Sequence, residues 1–125
     1  MAKNGKLYRS PLEERLAALF DKNGLEYDSL VNFPVNNGSK TREVDFVLRI
    51  PVVFKGYEKR LVKNVEVKSE VSQNSIEQHD ELRDAGIYTH LVTEREIIFW
   101  KENGLLAEGE KKRLADLYYG DKRSL

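Results

Sequence analysis

Two carboxylates and a lysine carry the chemistry that is legible in this chain. In Asn64-Val65-Glu66-Val67-Lys68 polar and apolar residues alternate. On a β-strand this puts Glu66 and Lys68 on one face and the two valines on the other. Asp45 interrupts the apolar run Val44-Asp45-Phe46-Val47-Leu48, and aspartate is a poor strand former. If the two strands pair, Asp45 and Glu66 converge. Convergent carboxylates suit a hard divalent cation, and Mg²⁺ is typically held by one or two of them together with substrate phosphate. Phosphodiester hydrolysis needs such a site. The metal polarises phosphorus, lowers the pKa of a bound water and neutralises charge on the departing oxygen. An ammonium beside it orients the water and stabilises charge on phosphate. The plainer reading of Glu66 and Lys68 is an ion pair on an exposed face, and of Asp45 a polar residue on the wet side of a half-buried strand.

An acid on one strand and Glu-X-Lys on the next, after an opening helix with a further glutamate, resembles the PD-(D/E)XK nuclease superfamily. The matching residues are Asp45, Glu66-Val67-Lys68 and Glu13, with Val44 where proline gives the family its name. The resemblance spans roughly residues 10–92, and the chain is most similar to archaeal-type Holliday junction resolvases and small VRR-NUC nucleases. It implies a restriction-endonuclease-like α/β core, and a metal-dependent deoxyribonuclease, cutting as an endonuclease and leaving 5′-phosphate and 3′-hydroxyl ends. Junction resolution is one form of that activity, although the basic loop with which resolvases grip four-way DNA is not evident. The resemblance also implies that Asp45, Glu66 and the Val67 carbonyl bind Mg²⁺, with Mn²⁺ as a substitute, and that Lys68 assists the water. Glu13 and Gln78 join the catalytic group, and Ser69, where a serine or threonine often follows the lysine, is expected to contact DNA. Resolvases pair to make two cuts, and a chain of this size offers little DNA-contacting surface, so a homodimer is expected.

Glu13 has two candidate roles. With Leu12 at zero and about 100° per residue, Leu16 lies near 40°, Phe20 near 80° and Glu13 near 100°, whereas Glu14 lies near 200°. Glu13 therefore borders the buried stripe, where it can reach a site. It also sits where a capping box on Ser10 places its acid.

The elements that must position these groups follow from capping and periodicity. Ser10 caps a helix that opens with Pro11 and ends at Gly24. Residues 25–35 read as a strand, and Asn36-Asn37-Gly38-Ser39 as a turn. A second strand over 41–50 sets Val44, Phe46, Leu48 and Ile50 on one face and Asp45, Val47 and Arg49 on the other. Residues 51–59 turn the chain or extend a hairpin, and 60–68 form the third strand. A helix is expected over 75–85 and a fourth strand over 87–92, apolar on both faces. The tail is ambiguous: Ile97-Ile98-Phe99-Trp100 before Asn103-Gly104 resembles a hairpin, while Thr93, Glu96 and Gly104 could bracket a helix. The hairpin is the expectation taken here, followed by a helix over 111–119. The fold class is α/β, one domain over residues 1–125, with a central mixed sheet of four or more strands flanked by helices.

Bulk composition bounds the alternatives. The chain has 125 residues, 40% hydrophobic and 34% charged, with no cysteine. Disulfides and thiolate metal sites are excluded, and the absence of cysteine and of an apolar leader points to an intracellular, cytoplasmic protein. No run is long enough to cross a membrane. Lysine plus arginine equals aspartate plus glutamate at 21 each, so positive charge for DNA must be local. Arg42, with Thr41, precedes Asp45 and is placed to contact DNA. Lys55, Lys59, Arg60 and Lys63, and separately Lys111, Lys112 and Arg113, form basic groups that either track phosphates or are solvated faces. His79 and His90 match no zinc spacing and read as packed histidines. Gly38-Ser39-Lys40-Thr41 lacks the glycines of a phosphate-binding loop. Besides the nuclease, two readings stay open: a non-catalytic DNA-binding module that keeps the fold, and an interaction protein whose acids and lysine make surface ion pairs.

Overall fold

A computed structural model describes residues 2–3, 6–7, 10–70 and 72–123, with side chains over 10–70 and 72–117. Two short strands, β1 (Ala2–Lys3) and β2 (Lys6–Leu7), pair with each other. The main sheet has the order β3 (Tyr27–Val35), β4 (Lys40–Val52), β5 (Val62–Val67), β6 (Thr89–Val92). The first three run antiparallel, and β6 lies parallel to β5. Parallel neighbours need a crossover, supplied here by helix α2 (Gln73–Asp84). The result is an α/β fold with a four-stranded mixed sheet flanked by helices.

Helix α1 (Pro11–Lys22) starts as its sequence requires: Ser10 Oγ accepts the Glu13 N–H at 3.2 Å, and Pro11 occupies the first turn. It stops at Gly24, whose φ of +70° lets Leu25 N–H reach back to the Phe20 carbonyl at 3.0 Å. α2 begins two residues before its expected start, because Ser72 and Ser75 cap each other reciprocally.

The tail is helical. Helix α3 (Glu94–Asn103) replaces the expected hairpin, and α4 (Glu110–Arg123) closes the chain. The Thr93 N–H donates to Glu96 Oε1 at 2.8 Å, closing the box at the helix start. Ile97 and Trp100 are then buried one turn apart, whereas Ile98 and Phe99 are 43% and 42% exposed. A strand would have buried alternate residues, so the run has helical period.

The larger core lies between the sheet and helices α1 and α3. Leu16, Phe20, Phe46, Leu48, Val65, Val67, Ile97 and Trp100 belong to it, and the Phe20 ring meets Phe46 edge-on with centroids 5.2 Å apart. A smaller cluster of Val35, Val44 and Leu82 seats α2 against the sheet. Val44 thus departs from the expected face: it packs with α2, although Phe46, two residues on, packs with α1. Among the described residues, no helix is long and apolar enough to cross a membrane.

Candidate functional site

The strand pairing brings the two acids together. Phe46 pairs with Val65 and Val47 with Asn64, so Asp45 and Glu66 lie just beyond the last pair, where their carboxyl groups interact. Both are buried, with exposures of 8% and 3%. Each has a different local reason to be there. Glu66 alternates with Val65 and Val67, whose burial in the core holds the glutamate on the reverse face. Asp45 turns its carboxylate to the sheet itself, and Oδ2 accepts the Val67 N–H at 2.7 Å.

The two acids line an open depression of about 380 Å³ together with Glu13, Asn32, Thr41, Arg42, Glu43, Val67, Lys68 and Gln78. Lys68 Nζ lies 3.6 Å from Glu66 Oε2, close enough for attraction and too long for a good hydrogen bond. The other oxygen, Oε1, is buried with no hydrogen-bond partner among the described residues. Unpaired buried carboxylate oxygens are costly.

Burial pushes the Glu66 carboxyl up to about 8, and the neighbouring Asp45 charge adds to the rise while Lys68 opposes it. Asp45 is also raised by burial, opposed by the Val67 N–H and by Lys68. Two desolvated carboxylates cannot both ionise cheaply without a cation, so burial and mutual repulsion favour a proton on the pair. A divalent ion would displace it and give Glu66 Oε1 a partner. The donor set fits a hard cation: two carboxylates and the Val67 carbonyl, all oxygen. Among the described residues, no three acid or imidazole side chains form a ready metal-holding group. Glu13 therefore lines the depression without completing a three-acid cage.

The remaining predicted site residues separate into those at the depression and those elsewhere. Glu13 is 5% exposed and lines the cavity, and its backbone N–H serves the Ser10 cap. Gln78 is there too, and its amide donates to the Glu43 carbonyl at 2.9 Å, bracing the strand that carries Asp45. Arg42 lines the same wall, held by Glu81, which also takes Lys40 at 2.6 Å and the Asn36 amide at 3.1 Å. Ser69 is exposed beyond the end of β5 and does not line the depression.

Lys55, Arg60 and Lys63 lie outside it and are occupied internally. Lys55 donates to the Asn103 carbonyl at 2.7 Å and Lys63 to the Leu48 carbonyl at 3.0 Å. Arg60 meets His90 Nδ1 at 3.0 Å. Burial first, and then Arg60, hold His90 down to about 4, so the ring is neutral and accepts from the guanidinium. His79 Nδ1 lies 2.8 Å from Thr89 Oγ1. Neither histidine lines the acid depression. Of the second basic group, Arg113 is bound to Glu110.

Sequence reasoning passed over Asn32, Glu43 and Glu81. A polar residue in the middle of β3 was the available signal for Asn32. Glu81 looked like one acid among several on α2. Leu30 gave no signal at all, yet its φ is +53° within β3, a left-handed conformation that costs a residue with Cβ about 1–2 kcal/mol. No protein-family model matches this chain, and no curated protein or solved structure matches it.

Proposed function

We propose that this chain is a Mg²⁺-dependent deoxyribonuclease that hydrolyses phosphodiester bonds at the Asp45–Glu66–Lys68 depression, cutting as an endonuclease. The observation that carries the reading is the buried Glu66, with one oxygen unpartnered among the described residues, next to Asp45 and beside Lys68. A surface ion pair gives no reason to bury a glutamate to 3% exposure with one oxygen unsatisfied. A cation site does.

Asp45, Glu66 and the Val67 carbonyl would hold the ion, which when bound supplies Lewis-acid activation of phosphate and water. The chain's own groups do the rest. Lys68 Nζ, next to Glu66, orients the attacking water and offsets negative charge as it builds on the phosphate oxygens. Water oxygen bonds to phosphorus, the bond from phosphorus to the 3′ oxygen breaks, and the products are a 5′-phosphate and a 3′-hydroxyl. Gln78 fixes the β4 backbone at Glu43, and Glu13 lines the same depression. Arg42 is the cation on the cavity wall best placed to meet a neighbouring phosphate. We take the active form to be a homodimer, with one cut per copy on a branched or duplex DNA; sedimentation with and without DNA checks this.

The test is cleavage of labelled four-way junction, flap, nicked duplex, single-stranded DNA and RNA, with Mg²⁺ and with chelator, by wild type, Asp45→Asn and Lys68→Ala. Metal-dependent cutting of DNA by wild type, lost in both variants, is the expected outcome. Binding without cutting would transfer the reading to a DNA-binding module. If neither occurs, and millimolar Mg²⁺ leaves the melting temperature unchanged, the cation site itself is refuted.

A further inference from the structure

Asp45 stands outside both of the ladders that flank it. On one side Ser29 pairs with Phe46 and Val31 with Val44, yet Leu30 and Asp45, which lie between those pairs, do not. On the other, Phe46 pairs with Val65 but Asp45 does not pair with Glu66. The same register would also set Val44 opposite Val67. Instead the Val67 N–H is taken by the Asp45 carboxylate. Facing changes at this point too, with Val44 packing on α2 and Phe46 on α1.

One residue in β3 accounts for these departures. Leu30 has φ +53°, a conformation that L-residues with a Cβ avoid. The other non-glycine residues at positive φ, Asn36 and Asn37, lie in the β3–β4 turn, where that conformation is normal and asparagine tolerates it. Leu30 has neither excuse. It is part-buried in a strand interior, directly across from the acid. Local strain of this kind persists only where the surrounding structure imposes it, and it gathers at functional sites.

We propose that the left-handed backbone at Leu30 releases Asp45 from the sheet and aims its carboxylate into the acid depression, making Leu30 a positioning residue for the cation site. The proposal rests on the reading of that depression as a divalent-cation site. A regular pair at 30 and 45 would lock Asp45 into strand geometry and restore a carbonyl acceptor for Val67. A break in the ladder frees the peptide to rotate, so that the side chain takes the Val67 N–H and meets Glu66 in the depression.

The experiment compares Leu30→Gly, Leu30→Asn, Leu30→Ala and Leu30→Val. Two quantities are read: hydrogen exchange of the Val67 amide, and Mg²⁺ affinity from the metal-induced shift in melting temperature. Glycine and asparagine accept positive φ, so both variants should keep Val67 protected and bind Mg²⁺ as wild type does, with Leu30→Gly melting no lower. Valine favours the extended strand, so Leu30→Val should speed Val67 exchange and weaken Mg²⁺ binding, each at least tenfold. Leu30→Ala falls between and serves if the valine variant does not fold. Unchanged Val67 exchange in both Ala and Val variants would overturn the proposal, as would loss of protection in Leu30→Gly. Val67 exchange that responds as expected in a protein that never binds Mg²⁺ would overturn the cation reading alone and leave the backbone assignment standing.

Discussion

Glu66 and Glu110 are both buried glutamates, 3% and 5% exposed, and they are in opposite electrostatic states. Glu110, at the start of α4, accepts the Val53 N–H at 2.8 Å and both Nε and Nη2 of Arg113. Those bonds, led by Arg113, hold its carboxyl below the usual range. Arg113 in turn donates to the Pro51 carbonyl at 2.8 Å, so the pair ties α4 to the end of β4. Glu66 has a lysine at 3.6 Å, a second acid beside it and an oxygen with no partner among the described residues, and burial first, then the Asp45 charge, push its carboxyl up to about 8. A carboxylate meant for stability is saturated by the fold. The Glu66 carboxyl is buried, crowded by a second acid and left with one oxygen unpartnered among the described residues, as the proposed cation site requires.

Exchanging the charge at each position breaks the comparison most sharply. Glu66→Gln should abolish Mg²⁺-induced stabilisation and cut DNA cleavage on the order of 10²–10³-fold, since a metal's charge stabilisation is worth several kcal/mol. Its metal-free melting temperature at pH 8 should not fall. Glu110→Gln should do the reverse: cleavage and Mg²⁺ response survive, while stability drops by about 1–3 kcal/mol from weakened bonds to Arg113 and Val53, several degrees in melting temperature. Melting curves and cleavage rates on the two variants decide it. If Glu66→Gln destabilises and Glu110→Gln does not, the two roles have been assigned the wrong way round.

Lys68 sharpens the comparison because it opposes the rise in both acids without neutralising either. Lys68→Ala should slow cleavage roughly 10²-fold through loss of charge stabilisation at the phosphate. Mg²⁺ binding should persist. Titrating Mg²⁺ by melting temperature while measuring the single-turnover rate separates the two. Loss of Mg²⁺ binding in Lys68→Ala would instead make the lysine part of the cation site.

The next contrast is in pH. Glu66 binds its proton more tightly folded than unfolded, so its contribution to stability is complete below about 4.5, the ordinary glutamate value, and is lost as pH rises to about 8. Metal-free protein should therefore lose stability across that window. Mg²⁺ should remove the slope, because it binds the deprotonated form, and Mg²⁺ affinity should increase with pH until about 8. Glu66→Gln should flatten the metal-free profile, and Glu110→Gln should leave this window intact. Melting scans at several pH values, with Mg²⁺ and with chelator, measure the slope directly.

What was legible in the sequence was what depends on local period and capping. Alternation placed Glu66 and Lys68 on one face, and an aspartate inside an apolar strand marked Asp45. Ser10, Pro11 and Gly24 bounded α1, and the order of strands and helices followed as far as β6. The hairpin expected in the tail failed because four consecutive apolar residues satisfy either period, and the Thr93–Glu96 box decided for helix. Three features depended on tertiary context. Lys55, Arg60 and Lys63 read as a basic group, yet their partners are two backbone carbonyls and a histidine brought up from elsewhere in the chain. Val44 faces away from Phe46, since alternation assumes an unbroken ladder. Leu30 looks like an ordinary strand residue, and its conformation exists only opposite Asp45.

Glu81 is the third carboxylate in the comparison, and the smallest effect belongs to it. Like Glu110 it is satisfied by cations, and the bonds from Lys40 and then Arg42 hold its carboxyl below the usual range. Unlike Glu110 it stands next to the acid depression, because Arg42 lines that cavity. The clamp joins α2 to the β3–β4 turn through Asn36 and to β4 through Lys40 and Arg42. Its effect on function is therefore indirect: it sets where the Arg42 guanidinium is presented. Glu81→Gln keeps the volume and weakens the grip, so Arg42 should become more mobile while the acids stay in place. The expected result is a KM for DNA raised a few-fold, kcat within about twofold of wild type and an unchanged Mg²⁺ response, because a positioning cation acts on binding more than on the chemical step. Arg42→Gln should raise KM further and make Glu81→Gln silent in the double variant. Equal KM values in wild type and Glu81→Gln would make the clamp a purely structural tie, of the same kind as Glu110 and Arg113.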